Sequence, residues 1–163
     1  MLEYLCEHCV SIVLTAGRTW GTHHPDSTGI GPETFAYMSS DGNYTGGGTP
    51  TADQVKFYDT HGYYITTSSY ILRPEVLESN FYAWRATGNI KYFNNAVSAI
   101  QSFQKYLPAT VAYAGINDVN NAKSTKNNDM PSFWLAEVLK YLYVLLASLP
   151  LLSSQLAFSV IAT

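Results

Sequence analysis

Residues 72–79 read LRPEVLES, and this octapeptide predicts the beginning of a helix. Proline is favoured in the first helical turn because its missing N–H is not needed there, and Pro74 would occupy that position. Glu75 and Glu78 would follow in the same turn, where the helix dipole favours acidic side chains. Because they are three residues apart, the two carboxylates would project from one face of the helix.

Helix boundary signals continue on the C-terminal side of this segment. Gly88 is expected to end the helix that Pro74 opens, and Asn89 is expected to cap the next one. Apolar side chains at helical spacing carry that second helix to Pro108, which would stop it. Pro131 would open a further helix whose apolar positions include Phe133, Leu135, Val138, Leu142 and Leu145.

The N-terminal half has a different character. Residues 2–15 show helical spacing of apolar side chains, and Cys6 and Cys9 are interpreted as two thiols on that short helix. Residues 21–70 are rich in Gly, Ser, Thr and Tyr, which predicts loops with one or two short hairpin strands, for example around residues 63–65. Long helices, long polar loops and few strands predict an all-α architecture.

The composition excludes several classes of function. Of the 163 residues, 47% are hydrophobic and 13% are charged, which is typical of a globular chain. The net charge of −3 and the 9 Lys and Arg residues provide no basic stripe, so no nucleic acid partner is expected. No P-loop, Rossmann fingerprint or GxSxG motif is present.

The C-terminal residues 141–162 carry no charge and are mostly apolar. Their 22-residue length would suffice to span a membrane, but Pro150 and several serines interrupt the run. A buried helix followed by an irregular apolar tail is the favoured prediction, so membrane association is expected only through this tail.

The residue types of the octapeptide suit two kinds of chemistry. Clustered carboxylates can act as a general base on water, or can surround a hard cation such as Ca²⁺. Arg73 can reach a carboxylate or a sugar hydroxyl with its planar fork. The alternative is structural, because Glu75 and Glu78 would also stabilise a helix start and form a local ion pair.

Two further acids are candidates for a site. Glu137 follows Phe133 by four residues on an otherwise apolar helix, so ring and carboxylate would share a face. A carboxylate among apolar groups needs a partner, and Lys140 offers a structural alternative to a functional one. Glu33 lies in a Gly- and Pro-containing turn, where it is either a functional or a simple turn residue.

Several segments, in order, resemble glycoside hydrolase family 47, the class I α-1,2-mannosidases, and most closely its filamentous-fungal branch. The matching segments are 28–33 (TGIGPE), 72–75 (LRPE) with 78–79 (ES), 81–82 (FY) with 84–88 (WRATG), 115–116 (GI) with 118–119 (DV), 130–137 (MPSFWLAE) and 139–143 (LKYLY). The resemblance implies an incomplete (αα)7 barrel with a loop and short-hairpin insertion. It divides the chain into residues 1–146, the C-terminal portion of such a barrel, and residues 147–163, a divergent apolar tail.

The resemblance also implies a function and its residues. Family members remove α-1,2-linked mannose from high-mannose N-glycans with inversion, and they use Ca²⁺ in the secretory pathway or outside the cell. By this resemblance Glu75 is the general base, and Arg73, Glu78, Phe133 and Glu137 bind the terminal mannose. The carboxylates expected near the calcium, mainly through water, are Glu33, Glu78 and Glu137.

The sequence also departs from the family pattern. The family supplies its catalytic acid from earlier barrel helices, and its calcium is held by a Thr in a Thr-Glu-Ala-His segment that this chain does not contain. The chain alone is therefore expected to be inactive as a glycosidase. The alternative function is a non-catalytic, lectin-like mannose-binding remnant. The triplet Asn43-Tyr44-Thr45 is compatible with N-glycosylation in the secretory pathway.

Overall fold

The computed structural model describes residues 27–46 and 48–147. The helix expected at residues 2–15, with Cys6 and Cys9, and the apolar tail from residue 148 lie outside the described residues. Within the described residues the elements are, in chain order, β1 (Thr34–Ala36), α1 (Ala52–His61), β2 (Tyr64–Thr67), α2 (Glu75–Thr87), α3 (Ile90–Tyr106), a π-helical turn (Trp134–Val138) and α4 (Leu139–Ala147).

The predicted hairpin strands are present as an antiparallel pair. In the β1–β2 ladder, Phe35 lies opposite Ile65 and Ala36 opposite Tyr64, with an irregular register next to Thr34. This pair brings the loop before β1 alongside the chain that leads from β2 into α2. It is the only sheet within the described residues, so the predicted helix-rich architecture holds for this part of the chain.

Helix α1 corrects the prediction that residues 21–70 contain only loops and strands. Thr51 caps this helix: its hydroxyl accepts a hydrogen bond from the Gln54 backbone, and the Gln54 side chain accepts one from the Thr51 N–H. Such a capping box is a local start signal that the sequence displays. Apolar spacing did not reveal the helix because none of its residues is buried.

Helices α2 and α3 have the boundaries that the sequence predicts. Helix α2 begins directly after Pro74 and ends at Gly88, whose left-handed backbone places its N–H on the Trp84 carbonyl. The Asn89 side chain then caps α3 by accepting from the Lys91 N–H at 3.0 Å. The two helices pack together, and the Asn95 amide donates to the buried Asn80 carbonyl oxygen at 2.9 Å between them.

The predicted helix after Pro131 is present, but its first turn is a π-helical turn. A π turn contains more residues than an α turn, so side chains within it do not follow α-helical spacing. Leu135 lies inside this turn and is 59% exposed, although it was predicted on the buried stripe, whereas Val138, Leu142 and Leu145 are buried. The prediction was therefore wrong for Leu135 and correct for the other three positions.

The core lies where α2, α3 and the π turn with α4 meet the loops that precede α2. Trp134 is its largest fully buried side chain and packs edge-on against Phe103 of α3, with ring centroids 5.5 Å apart. Leu72, just before α2, is also fully buried. Within residues 27–46 and 48–147, no helix combines the length and apolarity needed to cross a bilayer.

Candidate active site

Arg73 is the centre of the candidate site, and the backbone immediately before it fixes its position. Leu72 adopts a positive φ of 66° while its side chain is fully buried. A left-handed conformation is unfavourable for a residue with a branched side chain and is often found at functional sites. The chain therefore turns sharply at Leu72 and presents the Arg73 side chain, 47% exposed, beside the start of α2.

The Arg73 guanidinium connects two of the predicted carboxylates and one predicted aromatic ring. Its Nε donates to Glu33 Oε2 at 2.6 Å, and its Nη1 lies 3.7 Å from Glu75 Oε1. Its central carbon lies 5.9 Å from the centroid of the Phe133 ring, within the range of a cation–π contact. Residues from three distant parts of the sequence therefore meet at this guanidinium.

Glu33 is held from both sides. Its Oε1 accepts a hydrogen bond from the Ile71 N–H at 2.7 Å, while its Oε2 is bonded to Arg73. Its side chain is only 10% exposed. The hydrogen bond to Glu33, and then the charges of Glu33 and Glu75, raise the pKa of Arg73 above its ordinary value, although partial burial opposes this shift. Glu33 therefore acts here as the anchor of the guanidinium.

A cavity of about 680 Å³ opens beside this group. Glu33, Arg73 and Glu75 all line it, and its walls include the aromatic rings of Phe35, Tyr37, Tyr70 and Phe103. The Glu75 side chain is 52% exposed, so its carboxylate is accessible to water or to a ligand. A cavity with aromatic walls and a few polar groups at one end is the general form of a small-molecule site.

Tyr70 is a cavity residue that the sequence analysis did not identify. Its hydroxyl donates to the Arg73 carbonyl oxygen at 3.0 Å. Burial, and then the nearby charges of Glu33 and Glu75, raise the pKa of Tyr70 well above its ordinary value. It therefore remains a neutral donor that fixes the Arg73 backbone. Its position two residues before Leu72, at the start of the LRPE segment, was the available signal.

Glu78 does not line this cavity; it pairs instead with α4. Its Oε1 accepts a hydrogen bond of 2.7 Å from the hydroxyl of Tyr141, which is almost completely buried. Burial, and then the hydrogen bond to Glu78, raise the pKa of Tyr141 above its ordinary value. Tyr141 lies in the segment 130–143 that carries the resemblance, and its role as the partner of Glu78 was not predicted.

Glu137 is exposed on the π turn, whereas Phe133 is half buried next to Arg73. Neither residue lines the cavity beside Arg73. Within the part of the chain that the structure describes, the Glu137 carboxylate forms no ion pair, and the Lys140 ammonium lies over the Tyr141 ring instead. The structural partner considered for Glu137 is therefore not used.

The described residues do not gather a complete metal site. No group of three or more His, Cys, Asp or Glu side chains among residues 27–46 and 48–147 could hold a metal ion. Glu33 uses both carboxylate oxygens for Ile71 and Arg73, and Glu78 has one oxygen bonded to Tyr141. The predicted carboxylates, as placed here, do not by themselves fit a calcium ion that is bound directly by protein ligands.

Comparison with known proteins places this geometry in context. A family model described as glycosyl hydrolase family 47 matches residues 11–163. The probable mannosyl-oligosaccharide alpha-1,2-mannosidase 1B of Aspergillus niger is 40% identical over 127 residues, which are 77% of this chain and 23% of that protein. The mannosyl-oligosaccharide alpha-1,2-mannosidase 1B of Aspergillus oryzae is 39% identical over 127 residues, with the same two coverages.

A solved structure matches this chain in fold as well as in sequence. The alpha-1,2-mannosidase from Trichoderma reesei matches with a TM-score of 0.67 and 42% sequence identity, over 80% of this chain and 27% of that one. The match confirms the predicted fold class, with the described helices corresponding to part of an αα barrel. The chain spans about a quarter of the length of the curated relatives it matches.

Proposed function

The chain belongs to glycosyl hydrolase family 47, and we propose that it forms part of an enzyme that removes terminal α-1,2-linked mannose from high-mannose N-glycans. The observation that carries this proposal is the Arg73 guanidinium, which holds Glu33 and lies beside Glu75 at a cavity with aromatic walls. Such a cavity suits a pyranose ring, because its apolar faces pack on aromatic rings while its hydroxyls bond to charged groups.

Each residue has a role in the proposed site. Arg73 donates to hydroxyls of the terminal mannose with the N–H groups that Glu33 does not use, and Phe133, which lies against the Arg73 guanidinium and not in the cavity wall, contacts the sugar where it reaches that guanidinium. Glu75 is the general base, since it is the cavity carboxylate that remains accessible. Glu78 and Glu137 do not line the cavity, and their proposed contribution is to bind the sugar outside it.

The proposed reaction is hydrolysis with inversion at the anomeric carbon. Glu75 takes a proton from a water molecule, the water oxygen bonds to the anomeric carbon, and the bond to the leaving sugar oxygen breaks. That oxygen must receive a proton from a second carboxyl group, about 6.5–9.5 Å from the base. Glu33, the other carboxylate that residues 27–46 and 48–147 contribute to the cavity wall, is already hydrogen-bonded to Arg73 and the Ile71 N–H. We therefore propose that this chain alone does not hydrolyse mannosides.

Calcium is proposed as the cofactor of the complete site, in which it would help to bind and orient the sugar. Glu33, Glu78 and Glu137 are proposed to act on it through water. Because the described residues lack a metal-holding group, no catalytic step in this proposal passes through the ion. The proposed location is the secretory pathway or the cell exterior, where N-glycans are found.

A lectin-like function is the second candidate. It is favoured because Glu33 is hydrogen-bonded to the Ile71 N–H and to Arg73, and is therefore not available as the second catalytic carboxyl group. A site with an accessible guanidinium and one accessible carboxylate can bind a sugar without cleaving it. Binding and turnover therefore have to be measured separately on the full 163-residue chain.

Calorimetric titration with α-1,2-mannobiose, with and without Ca²⁺, tests the site. We expect weak binding that Arg73→Ala abolishes and Tyr143→Phe leaves unchanged, since Tyr143 is exposed on α4. Absence of any mannobiose binding would refute the proposed sugar site. Mannose release under the same conditions is expected to be undetectable; release that Glu75→Gln removes would overturn the proposed inactivity and eliminate the lectin-like candidate.

A further inference from the structure

The hairpin-like segment between Tyr37 and Thr45 contains a triplet of the kind that accepts N-linked glycans. Asn43-Tyr44-Thr45 is the only Asn-x-Ser/Thr triplet with x other than Pro in the 163-residue sequence. We propose that Asn43 carries an N-linked glycan. The inference uses the proposed passage through the secretory pathway and is independent of whether the chain binds or hydrolyses mannosides.

The backbone of this segment presents Asn43 at an exposed tip. Thr45 and Tyr37 are joined by two hydrogen bonds, from the Tyr37 N–H to Thr45 Oγ1 at 3.0 Å and from the Thr45 N–H to the Tyr37 carbonyl at 2.8 Å. The Ser39 N–H donates to the Asn43 carbonyl at 2.9 Å, which closes the turn. Asn43 itself is exposed.

The remaining residues of the triplet face the protein. The Tyr44 ring packs edge-on against Tyr58 of α1 and Tyr64 of β2, with centroids 5.3 and 5.5 Å away. Thr45 is half buried. Asn43 is therefore the one member of the triplet whose side chain can carry a bulky group without displacing packed atoms.

The hydrogen bonds of Asn43 are compatible with the modification. Its Nδ2 donates to Asp41 Oδ2 at 3.1 Å. An amide nitrogen bonded to a sugar keeps one hydrogen, so this bond can persist after glycosylation. The backbone N–H of Asn43 donates to Asp41 Oδ1 at 3.0 Å and is not involved in the modification.

The transfer requires a polyisoprenyl diphosphate-linked oligosaccharide as its co-reactant. Nδ2 of Asn43 forms a bond to the anomeric carbon and loses one proton, while the bond between that carbon and the diphosphate oxygen breaks. Polyisoprenyl diphosphate leaves, and nothing is oxidised or reduced. The resulting glycan would lie near the candidate site, because Tyr37, Thr45 and Gly46 line the same cavity as Arg73.

The test is expression of the full chain behind a cleavable signal peptide in yeast, followed by recovery of the protease-protected luminal fraction. We expect the wild-type chain to migrate more slowly than Asn43→Gln, and treatment with peptide N-glycosidase to remove this shift and convert Asn43 to Asp. Thr45→Ser keeps the triplet and should retain the shift. Thr45→Val removes the hydroxyl, keeps Asn43, and should lose it.

A relocated triplet controls for the transfer machinery. The double variant Asn43→Gln/Lys123→Thr moves the triplet to Asn121, which is exposed in the loop between α3 and the π turn. An unshifted wild-type chain in a luminal fraction where this variant is shifted overturns the inference. A shift that persists in Asn43→Gln also overturns it. A chain that is glycosylated but binds no mannobiose would refute the proposed function alone.

Discussion

Replacing Glu33 by Gln tests the electrostatic anchor of the candidate site. Glutamine has nearly the same shape, and its carbonyl oxygen can still accept from the Ile71 N–H. Its amide group, however, would face Arg73 Nε, with which the Glu33 carboxylate forms a 2.6 Å bond. Hydrogen bonds to charged groups contribute about 1.5–3 kcal/mol. Because Arg73 is about half exposed, solvent screening reduces the expected loss to about 1–2 kcal/mol.

The assay is equilibrium unfolding in urea at neutral pH, with Glu137→Gln as the matched control. Glu137 is exposed and forms no ion pair among the described residues, so the same chemical change should alter stability by less than about 0.5 kcal/mol. The difference between the two variants should shrink in high salt, which screens exposed charges. Equal stability of the two variants would refute the reasoning that Glu33 anchors Arg73.

Three further predictions concern the surrounding structure. Gly115→Ala should destabilise the chain by about 1–3 kcal/mol, because the new Cβ would lie 2.5 Å from the Tyr70 backbone oxygen. In Gly48→Ala the new Cβ meets no atom within 4 Å, so this variant should be tolerated. Urea unfolding of the two variants measures the difference. Tyr141→Phe should cost about 1–2 kcal/mol through the lost 2.7 Å bond to a carboxylate, while the exposed Tyr143→Phe should cost little in the same assay. Hydrogen bonds from Ser39 and Asn43 lower the pKa of Asp41 from 3.8 to about 2. The contribution of these bonds to stability is therefore present above about pH 4 and is lost as the pH falls towards 2. An NMR titration of the Asp41 carboxyl group should give the lowered pKa, and an ordinary pKa would contradict these bonds.

The parts of the fold that local residues determine could be predicted from the sequence. Pro74, Gly88 and Asn89 act through the first or last turn of their own helices, so the boundaries of α2 and α3 follow from them. Helix α1 depends on a capping box and buries none of its residues, which left no apolar pattern to detect. The π turn has no side-chain cap, so no comparable local signal marks it in the sequence.

The candidate site shows the same limit. Arg73 and Glu75 are neighbours in sequence, and their shared position at a cavity was predictable from the helix start. The bond between Arg73 and Glu33 spans 40 residues and depends on the β1–β2 pairing, so spacing along the chain could not reveal it. Spacing along the chain also suggested Lys140 as a partner for Glu137. The structure instead places the Lys140 ammonium over the Tyr141 ring.

The backbone at Leu72 places two opposing demands on one residue. Glycine would adopt the φ of 66° without strain but would leave a void in the core, and isoleucine or valine would fill much of the space but tolerate that φ even less well. None of these three substitutions both relieves the backbone strain and keeps the core filled. The direction in which the Arg73 guanidinium points therefore depends on a residue that fills the core while its backbone holds an unfavourable conformation.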